Sequence, residues 1–255
     1  WANSSGVMRP LDQVNLHLDY FGKLLDQNQL GSFPTSFVPT AFLHGFGLTE
    51  GHDKSMAEVL KEHGVTYINT PFNNMYNAGE AQYRLFGIDS GVITVDRGED
   101  IFNWDVFGGK PKGEITGSTC GLHWPNMLHE NPERNSEIVD AWVDFLKPYG
   151  DNYATLLARN SASFRNQLIH HVCTKVQLNE STIDFDFIET NKLKDQLNDR
   201  QLTIKLSSKR KLSFHTEGLK LVDTKIAQEK DNYLYTLIFN NMQNVDKTSV
   251  RFKAS

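Results

Sequence analysis

Four short segments hold most of the side chains that could do chemistry. The first is Leu43-His44-Gly45-Phe46-Gly47-Leu48-Thr49-Glu50-Gly51-His52, with Asp53 next. The second is Pro71-Phe72-Asn73-Asn74-Met75. The third runs from Asp96-Arg97-Gly98-Glu99-Asp100 to Asn103-Trp104-Asp105, and the fourth is His123-Trp124-Pro125-Asn126. Histidine titrates near neutral pH and can pass a proton. Aromatic rings cover the apolar C–H face of a pyranose, while amides and carboxylates hydrogen-bond its hydroxyls. Phe72, Asn73, Asn74, Trp104, Trp124, Asn126 and His44 together therefore suit a sugar. Each also has a plainer reading: His44 as a loop histidine on a backbone carbonyl, Trp104 as a core ring. Asp96, Glu99, Asp100 and Asp105 add carboxylates, the groups that a glycosidase uses in pairs.

His44 and His52, with Asp53 adjacent, come nearest to a metal-binding spacing. No His-Glu-x-x-His and no tight Cys/His pair accompanies them. Gly108-Gly109-Lys110 lacks the first glycine and the Ser/Thr of a phosphate-binding loop.

These segments matter because of what precedes them. Leu11, Val14, Leu18, Phe21 and Leu25 recur at helical spacing over 11–30, and Gly31 is a stop. Residues 36–42 read as a short strand. Asp53 is placed to cap a helix whose stripe is Met56, Val59 and Leu60, ended by Gly64; residues 65–70 follow as a strand. Strand, loop, helix, glycine and strand make a βαβ unit with parallel strands. Residues 92–95 and 115–122 read as further strands. Asn131-Pro132 opens a helix with Ile138, Val139, Trp142, Val143 and Leu146 as its buried face; Lys147-Pro148-Tyr149-Gly150 closes it, and residues 153–169 add a last helix. All four chemical segments then fall at carboxyl ends of strands, where parallel α/β folds put their sites.

After His170 the pattern changes. Residues 172–178, 182–187, 202–206, 212–215, 219–222, 233–239 and 249–252 are strand-like, and Ile183-Asp184-Phe185-Asp186-Phe187 alternates cleanly. The expected organisation is an α/β catalytic-type domain over 1–170 and an all-β accessory domain of antiparallel, sandwich-like character over 171–255.

With 255 residues, 39% hydrophobic and 22% charged, the chain can bury a core. A net charge of −5 lacks the basic bias of a nucleic-acid binder. No apolar run approaches the roughly 20 residues of a membrane span, and no signal peptide is recognised. Cys120 and Cys173 read as buried free thiols, with a pairing left open. Compartment and oligomeric state stay open.

The order of features resembles the later half of the polysaccharide deacetylase-like family, in the glycoside hydrolase/deacetylase superfamily. Phe37-Val38-Pro39-Thr40-Ala41-Phe42 followed by Ser55 through Val65 is similar to the family's Pro-containing strand and its following helix. Cys120-Gly121-Leu122-His123 followed by Asn135 through Pro148 is similar to its late strand and helix. The resemblance implies a partial or deformed parallel β/α barrel lacking its first strands. It implies a carbohydrate-active hydrolase, foremost a metal-dependent deacetylase, with His123 as the acid that protonates the leaving group. A glycosidase of the same superfamily and a non-catalytic glycan-binding or assembly protein are the alternatives. The family's paired aspartates and its His-x-x-x-His motif have no counterpart here. The implied zinc-like metal ion would thus take its ligands from outside the visible motifs. The chain opens Trp1-Ala2-Asn3 without Met, which leaves open whether those motifs precede Trp1.

Overall fold

A computed structural model describes residues 9–39, 45–48, 51–72, 82–97, 111, 113–115, 118–119, 124–241 and 243–254. The chain divides into two compact units, Trp1–Phe145 and Leu146–Ser255.

The first unit begins with helix α1 (Leu11–Gln27), which buries Val14 and Leu18. It ends one turn before Gly31. Gln29 takes the left-handed conformation (φ 55°) and the Leu30 amide reaches back to the Leu25 carbonyl, which closes the helix. Helix α2 (Met56–Glu62) buries Met56, Ala57, Val59 and Leu60. Its N-cap is Ser55, not Asp53: the Ser55 hydroxyl accepts the Glu58 amide at 3.1 Å. Gly64, at φ 88°, terminates it, with the Val65 amide on the Leu60 carbonyl.

Four strands form one sheet: β1 (Ser36–Phe37), β2 (Tyr67–Thr70), β3 (Phe86–Asp89) and β4 (Val92–Asp96), in the order β1-β2-β4-β3. β1–β2 and β2–β4 pair in parallel, with Tyr67 opposite Ile93 and Asn69 opposite Val95. β3 and β4 pair antiparallel through a two-residue turn, Ser90 (φ 52°) and Gly91 (φ 83°). Both turn residues have positive φ, as a tight hairpin requires. Val14, Leu18, Val59, Leu60, Ile68 and Val92 form one buried cluster, so the aliphatic face of the sheet is covered by α1 and α2.

The expected parallel barrel is therefore corrected. Among the described residues the sheet has three short parallel strands and an antiparallel edge. A barrel needs a crossover after each strand, and the Ser90-Gly91 hairpin turns the chain straight back. The expected strand over 115–122 lies largely outside the described residues.

Asn131 caps a 3-10 turn, Pro132–Arg134, that runs directly into α3 (Asn135–Asp151). α3 includes Lys147-Pro148-Tyr149-Gly150, the segment read as its close, and ends at Asp151. Ile138 and Trp142 are buried, but Val139, Val143 and Leu146 are exposed, contrary to the stripe read from the sequence. The buried pair packs with Ile115, Met127 and Phe145 on one narrow face.

In the second unit α4 (Ser161–Cys173) starts with a capping box, Asn160 and Ser163 each bonding the other's backbone. β5 (Lys175–Leu178) and β6 (Thr182–Asp186) follow, then α5 (Ile188–Lys192), β7 (Gln201–Ser208), β8 (Leu212–Thr216), β9 (Lys220–Glu229), β10 (Asn232–Asn240) and β11 (Lys247–Ala254). Two antiparallel sheets result, β5-β6-β11-β8 and β7-β10-β9. Ile183, Phe185 and Val250 from one sheet and Leu202, Tyr235, Leu237 and Phe239 from the other share one core. Phe185 meets Phe239 at 5.6 Å and Phe214 meets Tyr235 at 5.3 Å, both edge-on, so rings lock the sheets face to face.

Candidate functional site at the carboxyl ends of the parallel strands

Alternation along β2 puts Tyr67 and Asn69 on one face and Ile68 and Thr70 on the other. Ile68 joins the aliphatic cluster under the helices. Tyr67 and Asn69 instead meet residue 119. The Asn69 side-chain amide donates to the Thr119 hydroxyl at 2.7 Å and to the Tyr67 hydroxyl at 3.0 Å. Asn69 is buried, so these bonds offset the cost of taking an amide out of water. Burial pushes the Tyr67 phenol up to about 12; bonds from Asn69 and Thr119 and the charge of Arg97 oppose this. Tyr67 is therefore a neutral hydrogen-bonding group throughout the physiological range.

The end of β4 supplies the other wall. Asp96 accepts the Phe72 amide at 3.1 Å, which fixes the segment leaving β2. The Ser118 hydroxyl donates to the Asp96 carbonyl at 3.2 Å, so residues 118 and 119 are tied to β4 and β2 respectively. Arg97 is buried, and its amide extends the ladder to the Thr70 carbonyl. The Phe72 and Phe46 rings meet edge-on at 5.9 Å. Asn69, Thr119 and Arg97 thus lie toward the carboxyl ends of β2 and β4, where Phe72 leaves β2, while Tyr67, the first residue of β2, joins them through its hydroxyl's bond from Asn69. That set can hold a neutral polyol or stabilise negative charge developing on a carbonyl oxygen.

A second carboxylate braces the opposite end of the sheet, where Asp89 pairs with Val92 at the start of β4. Asp89, at the end of β3, accepts the Gly47 amide at 2.8 Å and the Ser55 hydroxyl at 3.1 Å. One side chain thereby joins the glycine-rich stretch, the cap of α2 and the β3–β4 hairpin.

Of the residues named from sequence, Phe72 is at this site, half-buried. Asn126 is fully buried in the 3-10 turn Trp124–Met127, and the Trp124 side chain lies outside the described residues. His44, Asn73, Asn74, Trp104 and His123 also lie outside them, as do Glu99, Asp100, Asp105 and Cys120. The expected meeting of His44, Asn73 and His123 therefore falls there too. His52 is half-buried before α2 and Asp53 is exposed. Among the described residues no three His, Cys, Asp or Glu side chains are grouped to hold a metal ion. Cys173 is buried and free, with burial and the nearby Glu189 raising its thiol to about 11.

Sequence reasoning passed over Tyr67, Asn69 and Thr119. The signal was present: an asparagine inside a strand, two residues after a tyrosine on the same face. No family model matches the chain, and neither a curated protein nor a solved structure resembles it significantly.

Proposed function

We propose that this protein is a carbohydrate-directed hydrolase, acting on an acetylated sugar at the carboxyl ends of β2 and β4. One observation carries the reading: the Tyr67–Asn69–Thr119 network along β2, whose phenol feels the charge of Arg97 just past the carboxyl end of β4, the side on which α/β folds bind ligands. A sugar acetamide would set its carbonyl oxygen toward the Tyr67 hydroxyl and the Arg97 charge. Water adds to the carbonyl carbon, and these two groups stabilise the resulting oxyanion. The C–N bond then breaks, the amine nitrogen takes a proton and acetate leaves. His123, which directly precedes Trp124, is the residue that the family resemblance makes the proton donor. Phe72, half-buried with its ring edge-on to the buried Phe46, offers ring surface for the sugar's C–H face.

The test is acetate release from N-acetylated oligosaccharides by the full chain. Tyr67→Phe should lower kcat by roughly 10²-fold, as for loss of one oxyanion donor. His123→Ala should lower it by roughly 10²–10⁴-fold. Both variants should keep the melting temperature. Sugar binding without acetate release would replace the hydrolase with a glycan-binding protein. No binding of any acetylated oligosaccharide by the wild type would overturn the carbohydrate reading itself.

A further inference from the structure

The three-stranded sheet of the second unit has two unlike edges. Residues 153–155 are tied to β7: the Tyr153 hydroxyl donates to the Leu206 carbonyl at 3.2 Å, and the Lys205 ammonium donates to the Thr155 carbonyl at 2.5 Å. β9, the other edge, pairs with β10 from Lys220 to Glu229, and among the described residues no second strand adjoins it. Such an edge points alternate backbone N–H and C=O groups outward, a template for another strand.

Its side chains are open as well. Thr224 and Ile226 sit opposite Leu237 and Tyr235, on the face that carries the shared core, yet Ile226 is 49% exposed where Tyr235 is fully buried. Val222 is 47% exposed. Asp223 and Lys225, opposite Ile238 and Thr236 on the other face, are exposed too. An edge lysine ordinarily guards against pairing, because its charge would be set against the incoming strand. Here an aspartate two residues earlier reverses that effect in one arrangement. A two-fold axis normal to the sheet lays a second β9 antiparallel to the first. With Thr224 on the axis, Asp223 opposes the partner's Lys225, and Val222 opposes the partner's Ile226. Moving the axis by one residue sets Asp223 against Asp223 or Lys225 against Lys225. Like charges directly opposite destabilise a sheet, whereas opposite charges and apolar pairs support it. The register with β10 shifts at Val222, and this bulge bounds the segment available for pairing.

We propose that β9 is a homodimer interface, in which two copies join antiparallel through residues 222–226 about an axis at Thr224 and so continue one sheet into the other. The interface is isologous, so each charge pair and each apolar pair occurs twice. Backbone bonds supply the affinity and the side-chain pairs set the register. The proposal is independent of the strand-end network in the first unit.

Sedimentation of the full chain over a concentration series tests it, with melting temperature monitored for every variant. The wild type should show a reversible monomer–dimer equilibrium. Asp223→Lys alone, or Lys225→Asp alone, opposes like charges twice and should weaken dimerisation at least about tenfold. Combining the two substitutions inverts both pairs and should restore the dimer. Thr224→Cys, on the axis, should give a reducible disulfide-linked dimer under mild oxidation, absent from the wild type; Glu229→Cys, far from the axis, should not. A wild type that stays monomeric up to about 1 mM, single charge variants that dimerise as the wild type does, a double variant no better than the singles, or equal cross-linking at both cysteine positions would each overturn the proposal.

Discussion

The two units use their buried positions in opposite ways. In the second, the buried faces of both sheets carry rings and aliphatic chains: Phe185, Phe187, Tyr235, Leu237 and Phe239 are all within 2% of full burial. In the first, the sheet face under the helices carries Ile68 and Val92 together with buried Thr70 and Thr94, and the other carries Tyr67 and buried Asn69 beside Ile93 and Val95. Strand length follows the division only in part, since β5, β6 and β8 of the second unit run four, five and five residues. β9 and β10 run ten and nine residues, whereas β1, β2 and β4 run two, four and five. Long antiparallel strands maximise buried area and are self-supporting. Short parallel strands bring many loops to one end, at the expense of core. The comparison teaches that the second unit is built for packing and the first for presenting polar groups.

The comparison can be broken most directly in the second core. Phe239→Ala removes a fully buried ring that touches Phe185 at 5.6 Å. It should cost about 3–5 kcal/mol in urea unfolding. A loss under about 1 kcal/mol would mean that the rings do not hold the sheets together.

A pH series sharpens it next, because the second unit buries a histidine, His170, among its few buried polar side chains. Burial lowers His170 to about 4, while Asp199 nearby pulls it the other way. An unfolded histidine titrates near 6.5, so between pH 6.5 and 4 the unfolded chain binds more protons. Stability should therefore be complete above 6.5 and fall through this window, by roughly 3 kcal/mol if His170 acts alone. His170→Phe should flatten this part of the stability–pH curve, measured by denaturant midpoints at each pH. An unchanged slope in that variant would assign the acid limb elsewhere.

The smallest effect concerns the brace in the first unit. Ser55→Ala removes the α2 cap and one partner of Asp89. It should cost about 1 kcal/mol. Ser55→Asp would restore the cap but set a second carboxylate against Asp89, and should not recover the loss. Full recovery by Asp would show that capping alone matters there.

Much of the local structure was legible because it follows from short-range rules. The stripe Met56, Val59, Leu60 with Gly64 behind it needs no tertiary information, since the helix period and a left-handed stop are local. The alternation Ile183-Asp184-Phe185-Asp186 puts Ile183 and Phe185 in the core for the same reason. Other outcomes depended on what packs against the element. Val139, Val143 and Leu146 have helical spacing as good as that of Ile138 and Trp142, yet only the latter two have a buried partner cluster. Asp53 and Ser55 are both capping residue types two positions apart; Asp89, 34 residues beyond Ser55, engages Ser55. β3 went unread because its edge pairing depends on the hairpin turn at Ser90-Gly91 and on Gln82, whose side chain bonds both backbone groups of Ile88. That hairpin is also what replaced the expected barrel. The candidate site divides likewise. Composition alone pointed to loops rich in Phe, Asn, Asp and His, and of these the structure ties Phe72 to Asp96. The grouping of Tyr67, Asn69 and Thr119 required knowledge of register, since residue 119 lies 50 positions from Asn69. Sequence determines the period and the stops of each element, because those are energies between near neighbours. Which face is covered, and which polar groups meet across it, is decided only when distant segments pack.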